Sequence, residues 1–258
     1  MQFDQKLQLV ERATWESAQN REGQEVIATP TWVRITSPKS PTAFLNGVLR
    51  CELSDDEADT EVPSTISHYR ELKLPFRWKI VPSSRPRNLS ERLEKNGLAL
   101  KEKLFGLIGN AKSLSVAPNP NVRVETVTLQ NLEAWLTVQA DAWNVPPPGI
   151  QYQRRSMTEA LTTGKSKYEN YLAYIGDKPV GSAAMRIADD YVLLMGGAVN
   201  ETYRHQDVYR TLTAHRLNRI AELNLPAVVH CLENTSAPIC LKLGFEKVCE
   251  ILSFEPMA

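Results

Sequence analysis

The segment from Tyr191 to Leu225 is the most informative part of the chain and reads YVLLMGGAVNETYRHQDVYRTLTAHRLNRIAELNL. It begins with an apolar segment typical of a β-strand, which Gly196 and Gly197 interrupt. A polar turn follows, and the residues after it have the apolar spacing of a helix. A strand that enters a helix through a tight turn directs backbone N–H groups and the positive end of the helix dipole at one point, which favours a bound phosphate.

A second segment, Asn234–Phe245, reads NTSAPICLKLGF. Together the two segments resemble the GCN5-related N-acetyltransferases (GNATs). In that family a V-x-P-x-Y-R-G-x-G-x-G/A-like segment wraps the pyrophosphate of acyl-CoA, and an N-x-x-A/S…Y-x-x-L-G-F-like segment completes the core. The periodicity of the residues alone predicts only a mixed α/β domain, and the resemblance supplies the topology.

The resemblance covers residues 122–258 and implies an α/β fold with a mixed sheet, the acyl-CoA N-acyltransferase fold. The small, polar, proline-bearing residues 111–121 predict a linker before it. Residues 1–115 weakly repeat the strand and helix pattern. Within them, the segment Leu74–Gly97 resembles the amino-terminal half of two-lobed GNAT proteins. No glycine-rich strand-to-helix turn occurs before residue 111. We therefore expect a smaller, non-catalytic GNAT-like lobe there.

Within this first half, the acidic run Ser54–Asp59 predicts a solvated loop. The apolar residues that follow predict a helix over 62–72.

Composition limits the classes of function. The chain has 258 residues, 42% of them hydrophobic, and 30 basic residues balance 30 acidic ones. A net charge of zero gives no field that favours nucleic acid or an anionic membrane surface, so neither is expected as a partner. The amino terminus does not read as a signal peptide, and the four cysteines lack metal-ligand spacing. These features predict a cytoplasmic protein without a bound metal.

The resemblance places a cosubstrate, acetyl-CoA, on the turn and helix. The family pattern R/Q-x-x-G-x-G/A falls on residues 204–209, with Asp207 and Tyr209 at the two glycine positions. We expect Asp207 to cap the helix by accepting from the N–H of Tyr209 or Arg210. Arg204, Arg210 and Arg216 form a cationic patch suited to the CoA phosphates, although a solvated helix face explains Arg216 equally well. The residues expected to bind acetyl-CoA are Ala198, Val199, Arg204, His205, Gln206, Asp207, Val208, Tyr209, Arg210, Asn234 and Ser236.

Asn234 and Ser236 have a further interpretation, because they flank a turn. Either could bond the pantetheine arm or cap the short helix that follows, and the pattern favours the cap for Ser236.

Acetyl transfer also needs a donor for the acyl carbonyl and groups that move two protons. Gly196–Val199 predicts a bulged strand whose Val199 N–H polarises the carbonyl; the alternative is that the glycines only let helix and sheet pack closely. Cys240 stands where the family often has a tyrosine that protonates the leaving thiolate, or it is a small core residue. His230 and Glu233 are candidates for the base, with a structural histidine as the alternative.

The sequence therefore supports two hypotheses. The first is direct transfer of an acetyl group from acetyl-CoA to an amine acceptor, expected to be a small molecule. The second is a catalytically inactive GNAT-fold binding or regulatory module. A nucleotide-binding protein is disfavoured, since neither G-x-G-x-x-G nor G-x-x-x-x-G-K-S/T occurs. The identity of the acceptor and the oligomeric state, including a homodimer, are left open.

Overall fold

A computed structural model of the chain describes residues 1–18, 23–40, 42–114 and 116–257. The chain forms two compact units. Unit 1 comprises Met1–Leu107, His230–Ile239 and Lys247–Ala258, and unit 2 comprises Ile108–Val229 and Cys240–Glu246. The units follow spatial compactness, whereas the lobes predicted over 1–115 and 122–258 are continuous segments. The lobe boundaries stay a prediction.

Unit 1 has the order helix, three strands, helix, strand, helix and strand, completed by the last strand of the chain. Its elements are α1 (Phe3–Trp15), β1 (Glu25–Ala28), β2 (Trp32–Thr36), β3 (Gly47–Cys51), α2 (Asp55–Glu71), β4 (Arg77–Ile80), α3 (Leu89–Lys95), β5 (Leu98–Asn110) and β11 (Glu246–Pro256). A 3-10 turn over Ala43–Leu45 precedes β3.

The strands of unit 1 lie in the order β1-β2-β3-β4-β11-β5. β3 and β4 are parallel, and β11 is antiparallel to β4, with Phe254 opposite Trp78. One apolar core contains Trp78 and Phe254 together with residues of α2. Within it Tyr69 stacks on Phe76 with ring centroids 4.6 Å apart, and Trp32 meets Trp78 edge to face. Aromatic pairs in these arrangements add to the free energy gained from burial.

The prediction of a loop at Ser54–Asp59 is wrong, because α2 begins at Asp55. Ser54 is its N-cap: its hydroxyl accepts from the Glu57 N–H, and the Glu57 carboxylate accepts from the Ser54 N–H at 2.8 Å. This reciprocal pair satisfies two N–H groups that the helix leaves without partners. The acidic residues of the run lie in the first helical turn, where the helix dipole favours negative charge.

The face of β4 opposite Trp78 carries a buried lysine. Lys79 is 7% exposed and lies opposite Ser253 of β11, whose buried hydroxyl has no hydrogen-bond partner among the described residues. The pKa of Lys79 is lowered to about 7, mainly by loss of hydration and further by Arg77, while Glu102 opposes the shift. Burial therefore disfavours the charged ammonium form of Lys79 relative to the neutral amine.

Unit 2 contains most of the helices and strands of residues 122–258, whereas the last strand, β11, belongs to unit 1. The elements of unit 2 are β6 (Val122–Thr126), α4 (Leu132–Trp143), α5 (Pro147–Thr163), β7 (Tyr168–Ile175), β8 (Lys178–Ile187), β9 (Val192–Val199), α6 (Val208–Leu223), β10 (Pro226–Leu232) and α7 (Ser236–Lys242). β10 and α7 each extend from one unit into the other along the chain. A 3-10 turn over Glu201–Tyr203 precedes α6.

The strands of unit 2 lie in the order β10-β9-β8-β7-β6. β6, β7, β8 and β9 form antiparallel pairs, and β10 is parallel to β9. Helix α4 packs Trp135 and Leu136 against Leu172 and Tyr174 of β7. The mixed α/β class predicted from the sequence is confirmed.

Helix α5 begins at Pro147, within a run of three prolines at positions 146–148. Proline fits the first turn of a helix because the N–H it lacks would have no intrahelical partner there. Across the described residues, no helix has both the length and the apolar character that crossing a membrane requires.

Candidate functional site

Strand β9 contains a bulge near its carboxyl end. Met195 pairs with Ala184 and Ala198 pairs with Ser182, so that two residues of β9, Gly196 and Gly197, stand opposite the single residue between them on β8. Gly196 has φ +59°, a left-handed conformation that glycine adopts at little cost and that one common class of bulge requires. The predicted bulged strand is confirmed.

Gly197 serves the alternative role predicted for this pair, close packing. A Cβ atom on Gly197 would lie 2.7 Å from the Tyr209 ring. The aromatic ring of α6 therefore rests directly on the backbone of the bulge. Both interpretations of the two glycines hold, each for a different residue.

The bulge determines where the Val199 N–H points. The N–H of Asn200 donates to the carbonyl of Val180 on β8 at 2.9 Å. Successive N–H groups of an extended strand point to opposite sides, so the Val199 N–H is directed away from β8. On that side, the described pairing of β9 with β10 covers only Val192–Leu194. This geometry suits the predicted donor, although its catalytic role stays a prediction.

The structure corrects the interpretation of Arg216 as a water-facing or phosphate-binding residue. Arg216 is 2% exposed. Its Nη1 donates to the carbonyl of Ala184 at 3.1 Å and to that of Met195 at 3.3 Å, the pair of residues immediately before the bulge. Its Nε donates to the Leu212 carbonyl at 3.2 Å. Arg216 therefore binds the sheet at the bulge and is not part of an exposed cationic patch.

A second buried contact lies on the other flank of the bulge. Gln139 of α4 donates through Nε2 to the hydroxyl of Ser182 at 2.7 Å, and Ser182 is fully buried. Ser182 pairs with Ala198, the first residue of β9 in the new register. Polar side chains from two helices thus contact β8 and β9 on either side of the register shift.

The amino terminus of α6 presents its first-turn N–H groups without a side-chain cap. Asp207 is the N-cap residue, but its carboxylate makes no capping hydrogen bond, so the expected cap is wrong. The physical reason is its left-handed backbone, with φ +56°, whereas capping side chains usually extend from a β conformation. His205 is also left-handed, with φ +63°. Aspartate and histidine tolerate this region better than most residues, which explains how Asp207 can occupy a glycine position.

The cations near this turn are exposed. Arg204 is paired only loosely with Glu201, at 3.7 Å, and Arg210 is exposed on the first turn of α6. Gln206 and His205 are exposed as well. The residues predicted to hold the CoA phosphates therefore surround an open helix terminus, where N–H groups and cations together favour an anion.

Tyr209 and Cys240 lie together in unit 2. The Tyr209 hydroxyl is 3.8 Å from the Cys240 sulfur, and Cys240 is buried. Cys240 occupies the position where the family often has a tyrosine, and Tyr209 occupies a glycine position. The structure thus places a phenolic hydroxyl beside the predicted thiol, although from a different helix.

The remaining candidates belong to unit 1. His230 lies against the carbonyl of Val10 at 2.9 Å, and its pKa is lowered to about 3, mainly by burial and also by Lys79. These contacts favour the structural alternative for His230. Glu233 is partly exposed, with its carboxylate 3.5 Å from the Lys103 ammonium. Asn234 is exposed and Ser236 is the first residue of α7, and their roles stay predictions.

The described residues contain no group of three histidine, cysteine or acidic side chains arranged to hold a metal ion. All four cysteines are buried thiols.

Sequence reasoning placed Arg216 in an exposed cationic patch and so missed its contacts at the bulge, and it missed Gln139 and Ser182 as parts of this region. A signal for Arg216 was present: it follows Leu212 by four residues and precedes Ile220 by four, which places it on the buried stripe of α6. Gln139 and Ser182 carry no comparable signal, because their contact joins elements far apart in the sequence.

The order and direction of the strands in unit 2, with a bulged strand leading into α6, define the fold of the GCN5-related N-acetyltransferases. Solved structures with this fold match nearly the whole chain. A GCN5-related N-acetyltransferase from Kribbella flavida matches with a TM-score of 0.70 at 15% identity, covering 99% of this chain and 95% of the other. A functionally unknown conserved protein from Staphylococcus epidermidis also gives a TM-score of 0.70, at 14% identity over 91% and 94% of the two chains.

A tandem GNAT protein from the clavulanic acid biosynthesis pathway matches with a TM-score of 0.61 at 10% identity, covering 96% of this chain and 86% of the other. Neither a protein-family profile nor a curated protein sequence matches. At sequence identities this low, the similarity to these structures shows a shared fold and nothing further.

Proposed function

We propose that this protein transfers an acetyl group from acetyl-CoA directly to the nitrogen of an amine acceptor, a small molecule. One observation carries the proposal: the bulge at Gly196–Gly197 directs the Val199 N–H away from β8, close in the chain to the uncapped amino terminus of α6. The Val199 N–H is suited to polarise an acyl carbonyl, and the amino terminus of α6 is suited to hold a diphosphate. The fold shared with GNAT structures supports the same assignment.

In this reaction the amine nitrogen attacks the acyl carbon, a C–N bond forms, and the C–S bond to CoA breaks. The Val199 N–H would stabilise the negative charge that develops on the carbonyl oxygen. The leaving thiolate must gain a proton, and the adjacent Tyr209 hydroxyl and Cys240 thiol are the groups of unit 2 suited to donate it.

The attacking amine must lose a proton. Of the two predicted bases, Glu233 fits better, because its carboxylate is partly exposed. His230 is partly buried, and a pKa of about 3 makes it a weak acceptor of protons at neutral pH.

The proposal is tested by titrating the purified protein with acetyl-CoA in a calorimeter at moderate salt. We expect a micromolar dissociation constant and at least a 5-fold weaker one for Arg204→Ala, since an exposed cation near a diphosphate contributes on the order of 1 kcal/mol. Lys178→Ala, at an exposed site on β8, serves as the control and should bind like the wild type. Equal affinities of the Arg204→Ala and wild-type proteins would mean that the phosphates do not bind at this turn.

A catalytically inactive module is the second candidate, favoured by the exposed carboxylate of Asp207 at the helix terminus. Asp207→Asn discriminates, because asparagine retains the left-handed backbone and removes only the charge. A protein that gives no heat and no thermal stabilisation at millimolar acetyl-CoA, yet gains binding in Asp207→Asn, is the inactive module. Micromolar binding by the wild type followed by acetylation of any amine in a panel excludes it.

A further inference from the structure

We infer that Arg216 is a positioning residue for acetyl transfer: it holds the β8–β9 bulge in place and so directs the Val199 N–H. The inference rests on the proposed function for its catalytic consequence, but its structural part can be measured independently. The hydrogen bonds described above join Arg216 to the strands at the bulge and to its own helix.

The contacts of Arg216 concentrate on the residues that flank the register shift. Its Nη1 reaches the carbonyl oxygens of Ala184 and Met195, one on each strand. These two residues form the last pair before Gly196 and Gly197. A single guanidinium nitrogen therefore links both strands at the point where the bulge begins.

The geometry of the guanidinium is fixed from its own helix. Nε donates to the Leu212 carbonyl, and Nη2 donates to the Thr213 hydroxyl at 3.3 Å. A planar group with donors in fixed directions can satisfy these acceptors at once, whereas a lysine ammonium cannot reproduce that arrangement. Because a buried charge without such partners is strongly unfavourable, these contacts also keep the side chain in this position.

The location of the bulge decides which N–H is available. In the observed register Val199 stands opposite Gly181, and the carbonyl of Val180 is used by Asn200. Without the extra residue, Val199 would stand opposite Val180, and its N–H would enter the ladder with β8. A register shift of one residue would therefore place the Val199 N–H in a hydrogen bond with β8, so that it no longer points away from that strand.

The peptide between Met195 and Gly196 adds a second constraint. The carbonyl and N–H of a trans peptide lie in one plane and point in opposite directions. Binding of the Met195 carbonyl by Arg216 therefore also fixes the orientation of the Gly196 N–H.

The experiment compares Arg216→Met and Arg216→Lys with the wild type in two measurements. The first is amide hydrogen exchange over residues 195–199, and the second is steady-state kinetics of acetyl transfer. Arg219→Met is the matched control, because Arg219 lies three residues further along α6 and binds Glu169 on β7. Thr213→Val removes one acceptor of the guanidinium but leaves both carbonyl contacts.

We expect exchange over residues 195–199 to rise at least 10-fold in Arg216→Met, and kcat to fall at least 10-fold while the KM for acetyl-CoA changes less than 3-fold. Arg216→Lys should show the same changes, because an ammonium group does not reproduce the fixed donor directions of the guanidinium. In Thr213→Val, both the exchange rates and kcat should stay within 2-fold of the wild type. A purely structural role would raise exchange throughout unit 2 and would lower kcat only through loss of folded protein.

Unchanged exchange over residues 195–199 in a folded Arg216 variant overturns the inference, whatever the activity. So does a fall in kcat no larger than that of Arg219→Met. Failure of the proposed function is visible separately, since the wild type itself would then neither bind acetyl-CoA nor acetylate an amine. If Arg216→Met does not fold, Arg216→Lys, which retains the charge and most of the volume, supports both measurements.

Discussion

Replacement of Lys79 by methionine is expected to stabilise the protein in a pH-dependent way. Lys79 is buried on β4, and its pKa falls from 10.5 to about 7 on folding. Because the folded pKa is lower than the unfolded one, the folded state binds the proton less tightly. The cost of holding Lys79 in the fold is therefore largest below about pH 7 and disappears above about pH 10.5. Methionine has a similar length and no charge, so it removes this cost.

The magnitude follows from the two pKa values. One pKa unit corresponds to about 1.4 kcal/mol, so the penalty at pH 7 is about 4 kcal/mol. At pH 9.5 only about 1 kcal/mol remains. We therefore expect Lys79→Met to raise the free energy of unfolding by about 4 kcal/mol at pH 7, and the difference from the wild type to shrink by about 3 kcal/mol between pH 7 and pH 9.5.

The assay is urea unfolding at several pH values between 7 and 9.5, followed by tryptophan fluorescence, since Trp78 adjoins Lys79 in the sequence and lies in the core of unit 1. Lys101→Met is the control, because Lys101 is exposed on β5 and its replacement should change stability by no more than about 0.5 kcal/mol. Parallel stability curves for Lys79→Met and wild type across this pH range would refute the reasoning, since the burial of a charged ammonium would then not limit stability.

Two further outcomes are expected. Ser54→Ala should lower the free energy of unfolding by about 1 kcal/mol through loss of the N-cap of α2, whereas Ser64→Ala, exposed within the same helix, should be neutral or slightly stabilising in the same denaturation assay. Tyr209→Phe should lower kcat by about 100-fold with little change in affinity for acetyl-CoA if its hydroxyl protonates the thiolate. A loss of kcat in Cys240→Ala but not in Tyr209→Phe would instead assign the proton to the thiol.

Apolar periodicity and turn residues act locally, so for residues 122–258 they predicted only a mixed α/β domain, and the resemblance supplied the topology. The bulge at Gly196–Gly197 was also predictable, since two glycines inside a strand have few other uses. The acidic run at Ser54 was not read correctly. Its charges suggest a loop when considered alone, but Ser54 and Glu57 have the spacing of a capping box, and the helix dipole favours acidic residues in a first turn.

Arg216 shows a different limit. Its i+4 spacing from Leu212 places it on the buried stripe of α6, whereas its charge favours exposure to solvent. The acceptors that make burial tolerable, the carbonyls of Ala184 and Met195, lie on strands far away in sequence. Their availability depends on the bulge, so no local pattern could reveal it.

The compact units could not be read from the chain as continuous segments, because β11 completes the sheet of unit 1. Leu252 of β11 pairs with Ile80 of β4, although 172 positions separate them. A fragment ending at the predicted linker would lack this strand and expose the edge of β4. The linker composition of residues 111–121 is therefore a poor guide to where the chain can be cut.

The left-handed backbone at Asp207 has a consequence for how this protein could change over time. Glycine and aspartate codons differ by a single base, and both residues accept this conformation. One point mutation can therefore add or remove a negative charge at the amino terminus of α6 without disturbing the fold. Affinity for an anionic substrate can therefore be lost through one mutation and regained when that mutation is reversed. A protein that has lost this affinity keeps its fold, so the binding site can be restored by a single change.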